Sequence, residues 1–190
     1  MDAWRAALAG PPRSFALDGE TYELAGSWSA LLEHLPADGW HLPLLYALLH
    51  EDDADALDDR LDDLDDPLTL TVVRDVAEGL VEQATGRRWW TAQRLYATAA
   101  ASWDDLDGAV TLHGGDLLAL AAAPARFCAT VYAWLTQHAD AKGRAKVNAA
   151  LERPPAGLDL ARTPLWTAEE EGSAFMAALA AHQQGARASS

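Results

Sequence analysis

The chain has 190 residues, half of them hydrophobic, with a formal charge of -15 at pH 7. That length holds one domain with a real core, or one domain with a tail, and the hydrophobic share excludes a wholly disordered chain. The acidity argues against a binder of nucleic-acid backbone, which needs a net basic face, and leaves room for a basic protein partner.

In chain order, Asp2 can cap a short helix that ends at Gly10, where Pro11 and Pro12 prevent continuation. The same opening, "MDAWRAALAGPP", lacks a basic start followed by a long apolar stretch, so it does not read as a signal peptide. Next, "RSFALDGETYEL" alternates around Asp18-Gly19, a two-residue hairpin signal. Pairing across that turn sets Phe15 opposite Tyr22, with Leu17 and Leu24 on the same face. A lone hairpin is marginal in water, so this face is expected to lie on helices. "SWSALLEHL" then follows a Ser27 cap, and "HLPLLYALLH" carries Pro43 near its first turn.

Residues 51–67, "EDDADALDDRLDDLDDP", place Leu57, Leu61, Leu64 and Leu68 at i, i+4, i+7 and i+11, one helical stripe. Over 51–66 there are ten Asp/Glu against one Arg. Such a run is a solvated face above a leucine stripe. It is also an electrostatic surface that would speed association with a Lys/Arg-rich partner in a salt-dependent way. Residues 71–85 repeat the pattern with Val73, Val76, Leu80 and Ala84, and Gly86 suits a C-terminal cap.

The stretch "TGRRWWTAQRLYATAAASWDDLDG", residues 85–108, predicts a helix over 88–103. At about 100° per residue, Trp89, Ala92, Tyr96, Ala99 and Trp103 fall along one side. The alanines let a second helix approach closely while the aromatic rings fill larger gaps. Trp90 and Arg94, at i and i+4, can set a guanidinium over an indole. Arg87 and Arg88 stand at the helix start, a poor place for cations, and are expected to meet carboxylates. A buried structural spine of Trp89, Trp90, Arg94, Tyr96, Trp103 and Trp134 is the expectation, rather than a nucleic-acid stacking surface.

Asp107-Gly108 is expected to end that helix and "AVTLHGG" to add a short strand. From Asp116 one or two helices follow, restarted at Pro124. They contain Cys128, the only cysteine, which excludes an internal disulfide and suits a reducing cytoplasm. Asp140 can cap "AKGRAKVNAAL", and Pro154-Pro155 is a firm stop. Residues 158–190 read as a linker containing Trp166 and a C-terminal amphipathic helix, introduced by the capping box Thr167–Glu170 and carrying Phe175, Met176 and Leu179. The expected architecture is mainly α: a compact helical domain over 1–157 with one small N-terminal β-hairpin, then the linker and C-terminal helix. No apolar run is long enough to span a bilayer, so a soluble intracellular protein is expected.

Catalytic signatures are wanting. "HEDDA", residues 50–54, starts like a zinc-protease motif but has Ala54 where the second histidine belongs. Asp53 and Asp55 begin a calcium-loop pattern that Leu57 interrupts, and the loop glycine is missing. No C-x-x-C, G-x-S-x-G, Walker A or G-x-G-x-x-G motif occurs. A metal-dependent hydrolase using His41, His50 and Asp53 remains the one enzymatic alternative. No catalytic residue, cofactor or metal is otherwise expected.

The order of these pieces is familiar. A "FALDGETYEL" hairpin precedes an acidic leucine helix and "DDPLTLTVVRDVAEGLVEQATGRRWWTAQRLYATAAASWDDLDG", followed by "VTLHGGDLLALAAAPARFCATVYAWL" and "ADAKGRAKVNAALERPPAG". Over roughly residues 2–157 this resembles the tail assembly chaperones of long-tailed phages and prophages of actinobacteria. The sharpest elements are G-R-x-W-W with x-x-S-W-D-x-x-D-G downstream and the late E-x-P-P-x-G; Arg88 stands where such chains usually carry proline. A GC-rich source agrees, since the chain has no isoleucine, one asparagine and two lysines against twelve arginines.

The resemblance implies a non-enzymatic chaperone in the cytoplasm of a bacterial host. It would coat the tape-measure protein, the long helical polymer that sets tail length, until tail-tube subunits polymerise around it. The tail-tube protein is then a second partner, and a homo-oligomer a further assembly to consider. The expected partner surface is Leu57, Asp58, Asp59, Leu61, Asp62, Asp63 and Leu64 together with Trp166, Phe175 and Met176. The competing reading is a structural head-tail or tail component of the particle.

Overall fold

The computed structural model describes residues 3–156 and Leu158, and the expectations for Trp166, Phe175, Met176 and the C-terminal helix lie outside the described residues. Helix α1 spans Ala3–Ala9 and ends at Gly10, whose φ of 75° turns the chain into Pro11 and Pro12. Strands β1 (Ser14–Leu17) and β2 (Glu20–Glu23) pair antiparallel in the predicted register, Phe15 opposite Tyr22. Asp18 and Gly19 both take positive φ, 52° and 85°, as the tight turn that matches strand twist requires. The two rings stack at 5.1 Å, and Phe15, Leu17 and Tyr22 are buried, so the hairpin closes one side of the helical core.

Ser27 caps a 3-10 turn, Trp28–Ala30, that leads into α2 (Leu31–His34), and α3 follows over His41–Leu48. Gly26 lies against the end of α3, its N–H donating to the Leu48 carbonyl at 2.8 Å. A Cβ at Gly26 would overlap the Ala47 carbonyl oxygen, so only glycine allows this approach. Next come α4 (Glu51–Asp62) and α5 (Leu70–Thr85). Thr69 caps α5 through Val72 N–H, and Gly86 closes it in the left-handed conformation at φ 66°.

Helix α6 covers Trp89–Ala101, α7 Trp103–Leu112, α8 Leu117–Ala121, α9 Pro124–Thr136 and α10 Ala141–Glu152. Helices α5, α6 and α9 pack on one another and form the centre. Val73, Ala77, Leu80 and Val81 meet Ala92, Leu95, Tyr96 and Ala99 there, with Phe127, Cys128 and Val131 from α9. Alanines at Ala77, Ala92 and Ala99, all fully buried, permit the close helix spacing anticipated from the sequence. The fold is mainly α with one two-stranded hairpin, and no helix among the described residues is long and apolar enough to cross a membrane.

Two expectations are overturned locally. The break after α6 falls at Ser102 (φ -129°, ψ 36°), not at Asp107-Gly108, and 103–112 is helical where a strand was expected from Ala109 onward. Leu106 is fully buried in α7 and Val110 packs against the core, so tertiary burial offsets the roughly 1 kcal/mol that Gly108 costs inside a helix. The second concerns the leucine stripe, which α4 does not carry beyond Asp62.

Candidate partner-binding surface

Helix α4 starts with Glu51, Asp52 and Asp53 in its first turn, where carboxylates favour the helix dipole. Leu57 is its buried anchor, 1% exposed, and Leu61 is half-buried against the core. Asp53 accepts the Glu23 backbone N–H at 3.3 Å, and Asp58 accepts the Tyr46 hydroxyl at 2.6 Å. Burial first, then that hydrogen bond and the Asp58 and Asp62 charges, push the Tyr46 hydroxyl up to about 12.

Arg60 is the only cation of the run, and it is turned inward. Its guanidinium donates to Asp18 at 2.7 Å, to Asp66 at 2.9 and 3.1 Å and to the Tyr22 hydroxyl at 3.1 Å. The Asp66 carboxyl is held below its usual range, first by the Arg60 hydrogen bond and then by the Leu68 N–H. This node ties α4 and the following loop to the hairpin turn. It leaves Asp59, Asp62, Asp63 and Asp65 exposed, with no ion pair to any of them among the described residues.

The helix stops because the chain turns extended at Asp63 (φ -79°, ψ 109°). Asp63 accepts the Asp65 N–H at 2.9 Å and Asp66 the Leu68 N–H at 2.8 Å, local turns in which aspartate side chains compete with helix bonds. Pro67 further disfavours helix at Asp66. Leu64 therefore leaves the stripe and is 99% exposed, while Leu68 returns to the core from the loop. Leu70, at the start of α5, is a second exposed leucine beside it in sequence. Leu57, Asp58, Asp59, Leu61, Asp62, Asp63 and Leu64 thus share one segment, but only its carboxylates and Leu64 are offered to solvent.

The residues of the expected spine are buried or partly buried, and one expected pairing is corrected. Trp90, Tyr96, Ala92 and Ala99 are buried; Trp89, Trp103 and Trp134 are partly buried against the core, Trp103 from the first residue of α7. The cation over Trp90 is Arg88, 5.7 Å from the ring, not Arg94. Arg94 instead donates to the carbonyls of Ala150 (2.9 Å), Leu151 (2.8 Å) and Arg153, because the open end of α10 lies within its reach. Arg88 meets Glu82 at 3.5 Å, as expected, whereas Arg87 lies over the Tyr132 ring at 5.4 Å. Burial raises the Glu82 carboxyl, opposed by the Trp89 N–H that it accepts at 3.2 Å.

His41, His50 and Asp53 do not converge. His41 stacks on Trp40 at 4.0 Å and places Nε2 3.4 Å from Glu78, His50 precedes α4 beside Asp52, and Asp53 faces the hairpin. Among the described residues no group of three or more His, Cys, Asp or Glu side chains is arranged to hold a metal. The exposures of Leu70, Leu112 and Leu118, and the joining of Asp18, Tyr22 and Asp66 by Arg60, had no signal in the sequence. No protein-family model, curated protein or solved structure matches this chain.

Proposed function

We propose that this protein is a tail assembly chaperone that holds a phage tape-measure protein soluble before the tail tube closes around it. The contact surface in this reading is the exposed edge of α4 and the loop to α5: Asp59, Asp62, Asp63 and Asp65 with Leu64 and Leu70. The observation that carries it is the inward turn of Arg60, which leaves four neighbouring carboxylates unneutralised next to a leucine that is 99% exposed. A long amphipathic chain that cannot bury its own apolar stripe aggregates unless something covers it reversibly. An acidic rim around a few apolar anchors suits a helix whose apolar face is flanked by Lys and Arg. The motif order G-R-x-W-W, S-W-D-x-x-D-G and E-x-P-P-x-G supports the same reading.

The experiment is co-expression with a tape-measure protein of an actinobacterial phage, followed by pull-down and a comparison of solubility. The chaperone reading expects that protein to be soluble and to co-purify only when this chain is present. Independent solubility of both, with no association, sinks it. Recovery of this chain in stoichiometric amounts from assembled particles would favour a structural tail or head-tail component instead.

A further inference from the structure

Helix α10, like α4, buries a single side chain. Of its twelve residues only Leu151 is buried, whereas α5 buries six of sixteen and α6 six of thirteen. Val147 and Asn148 are half-buried, and Lys142, Arg144 and Lys146 face solvent. One buried leucine is small against the entropy of ordering twelve residues, so apolar burial does not hold this helix down.

Its hold is polar and concentrated at one end. The last carbonyls of a helix have no partner within it, and Arg153 (φ -63°, ψ 120°) leaves the helical conformation before Pro154 and Pro155, which have no N–H to offer. Helix α6 supplies the missing donors. Trp90 Nε1 donates to the Glu152 carbonyl at 3.2 Å, Thr91 Oγ1 to Leu151 at 3.0 Å, and Arg94 to Ala150, Leu151 and Arg153. Arg94 also sets a full positive charge at the negative end of the helix dipole. Helix α9 adds one bond, Tyr132 Oη to Asn148 Oδ1 at 2.8 Å. At the other end, Asp140 caps the Gly143 N–H at 2.7 Å, so the helix carries its own N-terminal cap and needs none from its neighbours.

We propose that α10 is a latch: it opens as one unit from α6 and α9 while the rest of the domain stays folded, and Thr91 with Arg94 is the catch. When open, Trp90, Thr91 and Arg94 present a donor set shaped for the carbonyl end of a helix. This inference is independent of the chaperone reading and concerns the chain alone.

Native-state amide hydrogen exchange on the full chain tests it, with α5 as internal reference. In the wild-type protein the amides of 145–152 should exchange on the order of a hundredfold faster than those of Leu80 and Val81, because local opening costs less than global unfolding. Thr91→Val keeps the side-chain shape and removes one hydroxyl donor; it should speed α10 exchange about fivefold and leave α5 unchanged. Arg94→Gln should do more, again in α10 alone. Equal exchange of α10 and α5 in the wild type overturns the proposal. So does a Thr91→Val effect spread evenly over both helices, since α10 would then open only with the whole domain.

Discussion

Leu57 and Leu64 stand seven residues apart on one predicted stripe, yet their burial differs as far as burial can, 1% against 99% exposed. Truncating Leu57 to alanine removes atoms packed between α4 and the core and leaves a cavity, a loss of about 2–5 kcal/mol for a side chain so enclosed. At about 2–4 °C per kcal/mol for a domain of this size, a loss near 3 kcal/mol lowers Tm by roughly 6–12 °C. Leu64→Ala removes nothing from the core, and its effect on stability should stay within about 0.5 kcal/mol. On binding the order reverses. If Leu64 anchors the tape-measure segment, its truncation should weaken the complex about fivefold or more, the equivalent of 1 kcal/mol. Thermal denaturation of both variants, with calorimetric titration of the partner segment into Leu64→Ala, reads both effects. Equal Tm losses in the two variants would show that α4 continues through residue 64 and that the packing argument is wrong. An unchanged affinity would remove Leu64 from the interface.

Replacing Asp58, Asp59, Asp62 and Asp63 by lysine should weaken partner binding by more than about tenfold at low salt and far less near 1 M, where the screening length falls to about 3 Å; unchanged affinity at low salt discards the acidic surface. Tyr96→Phe should stabilise the fold by about 1 kcal/mol in urea denaturation, because its fully buried hydroxyl has no hydrogen-bond partner among the described residues. A comparable loss would mean that a buried water satisfies it. Burial also raises the Tyr96 hydroxyl well above 10.0 and pushes the Cys128 thiol from 9.0 up to about 12. Both folded-state values lie above the unfolded ones, so their contribution is complete below about pH 9 and falls as pH rises, that of Cys128 being lost as pH approaches about 12. The urea midpoint should fall over that window, less steeply in Cys128→Ala, and an identical slope in that variant contradicts the assignment.

Much of the fold was readable because its signals are local. Asp18-Gly19 specified the hairpin register, since only residues tolerant of positive φ close a two-residue turn. Asp116, Asp140 and Gly86 marked helix ends through groups that act within one turn of the backbone. The acidic segment and the Trp89–Tyr96 spine were visible as composition and period. Ser102 was not, because its local signal, a serine ahead of Asp104 and Asp105, competes with Asp107-Gly108, and the burial of Leu106 decides between them.

The candidate surface divides along the same line. By itself the sequence determined a mainly α chain, a hairpin laid on helices, and an acidic leucine-bearing segment, all properties of neighbours along the chain. The tertiary structure alone decided which leucine of that segment faces solvent, that Arg60 is consumed by Asp18 and Asp66, and that Arg94 closes α10 rather than covering Trp90. Those partners lie 42, 6 and 57 residues apart in Arg60–Asp18, Arg60–Asp66 and Arg94–Leu151. A charged side chain takes the acceptors that folding brings within hydrogen-bond reach, and periodicity along one helix carries no information about acceptors on another.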